Sequence, residues 1–212
     1  MRSYPPHPDL IPISDPAVLE RWGLSDCDRI DRPALIDCLT RLQDDESRPP
    51  PDTAGLIGRI RSRYHRVLIE IIVDAVALAT ACEAAYAADE RWPHGLSDLL
   101  VGLQEALEHH QQREDAVVFP LLLAKSPQAT AAVAFMAREH ASIRDRLESL
   151  SVITQAFEAP PKACVKWQIL YLLCRKIEFD VRELTRMEEC DLFAPSIRDS
   201  TEVDVCSAAT ST

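Results

Sequence analysis

The chain has 212 residues, 47% hydrophobic and 27% charged, which allows one good-sized buried core or a core with a small appendage. Its formal net charge of -11 argues against a nucleic-acid partner, because an acidic surface repels phosphate backbones. No apolar run reaches about 18 residues and the opening residues lack an apolar leader, so the expectation is no membrane span, no signal peptide and a cytoplasmic location. Five glycines beside abundant Ala, Leu, Glu and Arg favour helix over sheet. The seven cysteines are odd in number and form no CxxC pair. A secreted disulfide framework and a zinc ribbon are therefore poor readings, and most thiols are expected to be small buried hydrophobes.

Residues 1–14 read as a Pro-rich, loosely ordered tail. Residues 15–43 read as a small helical unit containing Cys27, with Asp15 and Asp31 as N-caps and Pro16 and Pro33 in first turns. The polar, Pro-rich stretch 44–53 is a semi-rigid linker. From 54 to 196 the periodicity predicts four long helices, over about 54–90, 96–125, 126–157 and 162–193. Pro120 is expected to kink the second, and Ser126-Pro127 to start the third. Residues 197–212 read as a polar, disordered tail. Short connectors imply antiparallel neighbours, so the fold class is all-α, an up-down-up-down four-helix bundle with a small helical N-terminal domain.

Each long segment carries an apolar stripe at helical spacing. The first includes His65, Leu68, Ile72 and Val76; the second Leu99, Leu103, Ala106, Leu107, His110, Glu114, Val117 and Leu121. The third reads Val133, Met136, Ala137, His140, Ile143, Leu147 and Leu150. The fourth runs Trp167, Leu170, Cys174, Ile177, Val181, Leu184 and Glu188. His65, His110, Glu114, His140 and Glu188 are polar groups in otherwise apolar stripes. His109 points about 100° away from its neighbour and should be solvated.

A lone buried His is more often a hydrogen-bonded core residue than a ligand. Five such groups are harder to dismiss, because antiparallel neighbours place all of them at one end of the bundle, within roughly 15 Å. Buried charges are costly unless paired or bound to metal, and imidazoles with carboxylates from four helices are how bundles build non-haem iron sites. The second and fourth segments also echo each other. His110-x3-Glu114-x4-Phe119-Pro120 parallels Leu184-x3-Glu188-x4-Phe193-Ala-Pro195, with Leu184 standing where the first copy has His.

Arg63-Tyr-His65, the run Glu108–Pro120, Met136-Ala-Arg-Glu-His140 and Glu188-Glu-Cys-Asp-Leu-Phe193 resemble the hemerythrin-like di-iron proteins that repair iron–sulfur clusters, the RIC family. Val18-Leu-Glu-Arg-Trp-Gly-Leu-Ser-Asp-Cys-Asp28 resembles that family's small N-terminal domain, although Asp28-Arg29-Ile30 replaces its Cys-Gly-Gly. The resemblance implies a hemerythrin-like bundle with His65, His110, Glu114, His140 and Glu188 as iron ligands. Glu114 and Glu188 would bridge two irons, one also held by His65 and His110, the other by His140. Leu184 replaces a ligand His of the family, and Tyr86 another. Tyr86 follows His65 by 21 residues, about 31 Å along one helix, so its change should not empty the site.

The implied function is a non-haem iron protein of the nitrosative or oxidative stress response, with one or two irons per chain. Nitric oxide or oxygen species would be its small ligands and iron–sulfur proteins its clients. The alternative is a divergent hemerythrin-like sensor or interaction module with one metal or none. A thiol enzyme built on Cys27 is a weaker reading, because the adjacent Asp28 would raise its pKa. The sequence is compatible with a homodimer and leaves open whether the protein turns over a substrate.

Overall fold

A computed structural model of the chain describes residues 52–161 and 163–195. The segments expected at 1–14, 15–43 and 197–212, Cys27 included, lie outside the described residues, as does the linker up to residue 51. The fold is all-α, as expected, with no strand among the described residues. Its four long helical stretches agree with a helical bundle of the hemerythrin type. No helix among the described residues is long and apolar enough to cross a membrane.

The first stretch comprises α1 (Thr53–Arg59), a π-helical segment (Ile60–His65) and α2 (Arg66–Ala85). Asp52 caps α1 by accepting the Gly55 N–H at 2.8 Å, which satisfies one of the first-turn donors a helix leaves open. The second comprises α3 (Leu96–Arg113), a π segment (Glu114–Val118) and α4 (Phe119–Leu123). Pro120 lies in the first turn of α4, directly after the π segment, where its missing N–H is tolerated. The third, α5 (Ala129–Ile153), is regular throughout. It ends in three left-handed residues, Gln155, Ala156 and Phe157, ahead of the expected Pro160-Pro161 break. The fourth comprises α6 (Val165–Arg186) and a π segment (Met187–Phe193).

The described residues fall into two compact units. In the first, Ile71–Val101 pack with Ser149–Ile177. Its core includes Ile72, Leu78, Cys82, Leu100, Trp167 and Cys174. Trp92 and Trp167 meet edge to face at 4.9 Å, and Tyr86 lies against both. Glu83 closes the turn between α2 and α3 by accepting the N–H of Gly95, whose φ of 84° suits glycine.

The second unit contains residues 52–70, Gly102–Glu148 and the described residues from Glu178 on. Ile60, Leu103, Leu107, Met136, Leu147 and Leu184 belong to its core. All five polar stripe residues fall in this unit.

The stripe of the fourth stretch is buried at every expected position from Trp167 to Glu188. That of the second is not. Val117, expected inside, is 45% exposed and Leu121 is only half-buried, whereas Val118 and Leu122 are buried. The cause is the π segment opening at Glu114. A π turn takes up one extra residue, so the inward face slips by one position beyond it. Ala137 is exposed, and Val76, Leu99 and Ala106 are half-buried, so those four positions border the core instead of filling it.

Candidate metal centre

Three of the four helical stretches leave α geometry where the polar residues sit. His65 closes the first π segment, Glu114 opens the second and Glu188 lies in the third. Such interruptions recur at functional sites because they re-aim side chains that a regular helix would direct elsewhere. His110 comes from the last turn of α3 and His140 from the middle of α5. All five side chains are buried, with Glu114, His140 and Glu188 at 0% exposure. His109 is exposed, as expected.

The five converge as two triads that share one carboxylate. His110, His140 and Glu188 form the first, and His65, Glu114 and Glu188 the second, with the donor atoms of each within 4.8 Å of one another. In the first, His140 Nε2 lies 3.0 Å and His110 Nε2 3.6 Å from Glu188 Oε2, and the two Nε2 atoms are 3.3 Å apart. In the second, His65 Nε2 lies 3.1 Å from Glu114 Oε2. His110 Nε2 also approaches Glu114 Oε2 at 3.6 Å. The structure thus groups His110 with His140, not with His65 as the resemblance implied. The triad with a single imidazole is that of His65.

The donor set fits a cation. Glu114 Oε1 and both carboxylate oxygens of Glu188 are buried without an aligned hydrogen bond, as is His65 Nδ1. Buried carboxylate oxygens are rarely left so, because each costs desolvation free energy with nothing in return. Nitrogen and carboxylate-oxygen donors with no thiolate suit iron among the transition metals.

Two carboxylates outside the expected set orient the imidazoles. Glu139 Oε2 lies 3.3 Å from His110 Nδ1, and Glu189 Oε1 lies 2.8 Å from His140 Nδ1. Each is held in turn by an arginine, Arg113 on Glu139 and Arg144 on Glu189 at 3.0 Å. Engaging Nδ1 fixes the ring so that Nε2 faces inward and becomes more basic, a common outer-shell arrangement for ligating histidines. Sequence reasoning missed both residues. Their one signal is adjacency, since Glu139 precedes His140 and Glu189 follows Glu188. The rings are braced on their faces too. Phe119 stacks on His65 at 5.9 Å and Phe193 on His140 at 6.2 Å, so the two phenylalanines of the internal echo play matching parts.

Burial, reinforced by the neighbouring charge of Glu188, pushes the Glu114 carboxyl above the usual range. Burial also opposes ionisation of Glu188, but the His110 and His140 imidazoles outweigh it and hold that carboxyl low. For His110, burial disfavours the cationic ring, yet Glu188 and Glu114 outweigh it and raise its pKa. Glu114 and His110 therefore keep protons to higher pH than free side chains would. A bound cation must displace them, so binding releases protons and affinity falls as pH drops through those raised values. Chelator competition across the neutral to mildly acidic range should show this slope. A flat profile would contradict it.

Residues 62–194 match the family described as the hemerythrin HHE cation binding domain. The chain is also 29% identical over 141 residues to proteins named iron-sulfur cluster repair protein YtfE from Salmonella paratyphi B, Salmonella newport and Salmonella heidelberg. In each case the match covers 66% of this chain and 64% of the relative, just under two thirds of its length.

Proposed function

This chain belongs to the hemerythrin HHE cation-binding family, and from that premise we propose that it carries two non-haem irons, serving reactions with nitric oxide or oxygen species in the repair of iron–sulfur clusters. The observation that carries this reading is Glu188, fully buried and common to two adjacent His/Glu triads. A carboxylate in that position is suited to bridging two cations. Glu114, close to both His65 and His110, is placed to be the second bridge.

Non-haem iron with few protein ligands has open positions at which small diatomic molecules bind. The protein's part is to hold and orient. Glu139 and Glu189 fix the imidazoles of His110 and His140, Phe119 and Phe193 cover the outer ring faces, and burial keeps bulk water from the carboxylates. The similar Salmonella proteins are named for iron–sulfur cluster repair, which favours damaged iron–sulfur proteins as clients and the cytoplasm as the place of work.

The experiment is metal analysis of freshly purified protein beside His110→Ala and Glu114→Ala. About two irons per chain are expected in the parent, and each variant should lose most of its iron, since both residues are inward-facing donors. Full iron in both variants would mean the site is misassigned.

A second reading is favoured by the unequal triads. The His65 triad has one imidazole, and His65 Nδ1 has no partner, whereas both imidazoles of the other triad are braced. A chain that holds one cation, at His110, His140 and Glu188, would be a sensor or interaction module. About one iron per chain in iron-replete protein would select this reading.

A further inference from the structure

The first unit contains a second group of reactive side chains, built around the sulfur of Cys164. Cys164 immediately precedes α6, and its Sγ accepts the Trp167 backbone N–H at 3.5 Å and that of Lys166. Cys82, near the end of α2, donates its S–H to the same sulfur, and the Tyr86 hydroxyl donates to it as well. Four donors thus surround one sulfur. A sulfur at a helix N-terminus that accepts hydrogen bonds is stabilised as thiolate. The charged groups bearing on the cluster are Lys166 on α6 and Asp89 in the turn after α2.

The two thiols are also unequal in access. Cys82 is wholly buried, Cys164 is half-buried, and neither is in a disulfide. The donation from Cys82, followed by those from Tyr86, Trp167 and Lys166, outweighs burial and brings Cys164 down to about 5. The thiol of Cys82, which gives that hydrogen bond and is buried, is pushed far up and stays protonated. One sulfur is therefore ionised and reachable, and its partner is protonated and already touching it.

We infer that Cys164 and Cys82 are a redox-active pair, in which Cys164 is oxidised by a small hydroperoxide and Cys82 closes a disulfide. The Cys164 thiolate attacks one peroxide oxygen, the O–O bond breaks, and the leaving hydroxide takes a proton from water. Cys164 is then a sulfenic acid. The Cys82 sulfur attacks that sulfur and the S–O bond breaks. The departing hydroxide takes the proton Cys82 loses. Two thiols and one hydroperoxide give one disulfide and two waters when the peroxide is hydrogen peroxide, the two sulfurs having supplied two electrons. None of these steps uses the imidazole centre, so the inference stands apart from the iron reading.

The test uses the full chain as purified. Iodoacetamide labelling over a pH series, read cysteine by cysteine by peptide mass spectrometry, should show Cys164 reacting first, with half-maximal rate near a pH of about 5. Tyr86→Phe removes one donor and should move that midpoint up by about one pH unit, with iron content unchanged. Stoichiometric hydrogen peroxide should then link the Cys82 and Cys164 peptides. Cys82→Ser should stop at a sulfenic acid trappable by dimedone, and Cys164→Ser should give neither product. Prior labelling of exposed Cys190, a midpoint in the ordinary thiol range, or a disulfide to any other cysteine would overturn the inference.

Discussion

Glu188→Ala should strip both cation positions at once. Glu188 is the residue common to the two triads, is fully buried, and lies close to both His110 and His140. Loss of an outer-shell partner costs about 10–100-fold in metal affinity, so loss of a shared ligand should exceed about 100-fold. The adjacent Glu189→Gln gives the contrast. That side chain contacts the far nitrogen of His140 and should cost only the outer-shell amount. Iron per chain after gel filtration, measured on both variants, separates the two roles. The metal-free fold of Glu188→Ala should survive, because a buried carboxylate without a cation is a cost in that state. One full iron retained in Glu188→Ala would show that the triads do not share this ligand.

The second large effect is expected at Leu184, which is 1% exposed and stands one turn before Glu188. In the echo it occupies the place His110 holds before Glu114, and there the four-residue spacing brings His110 Nε2 to 3.6 Å from the carboxylate. The triad short of an imidazole is that of His65, so a histidine at 184 would supply the missing kind of donor. Leu184→His is expected to raise iron toward two per chain. It also puts a polar ring into a packed stripe, so the metal-free protein should lose about 1–3 kcal/mol. Stoichiometry and the melting of the apo protein, measured together, should move in opposite directions. Unchanged stoichiometry in iron-replete protein would mean that the echo misplaces position 184 or that another group already serves there.

The sequence made the helical class legible, and the five polar residues that it singled out do come together. Their signal was strong because a charged or imidazole side chain on an apolar stripe must find a partner. The phase beyond Glu114 was not legible. A π turn leaves no mark in composition, and Val117 and Val118 are the same residue type, so periodicity alone could not tell which faces inward. Glu139 and Glu189 escaped notice for a different reason. Both are partly exposed, and a solvated glutamate on a helix looks the same in sequence as one that steers a histidine. The pairing of His110 with His140 depends on which stretches lie side by side, and an order of helices does not specify that. The thiol pair was hidden by its spacing, because Cys82 and Cys164 are 82 residues apart and each alone reads as a small apolar residue.

The three π segments bear on which changes of length the chain can absorb. A π turn is, in effect, an α-helix carrying one surplus residue. Deleting a residue between Asp115 and Val117 would leave a serviceable helix, with Pro120 still near its tolerated place. It would also rotate everything beyond the deletion by about 100° relative to His110 and Glu114. Val118, Phe119 and Leu122 would leave the core, or the two donors would leave the centre. The same holds for Ile60–His65 and Met187–Phe193, but not for α5, which carries His140 without an interruption. Chain length in these three stretches is therefore as constrained as donor identity. Substitutions there can be gradual, whereas gain or loss of a single residue is all or nothing.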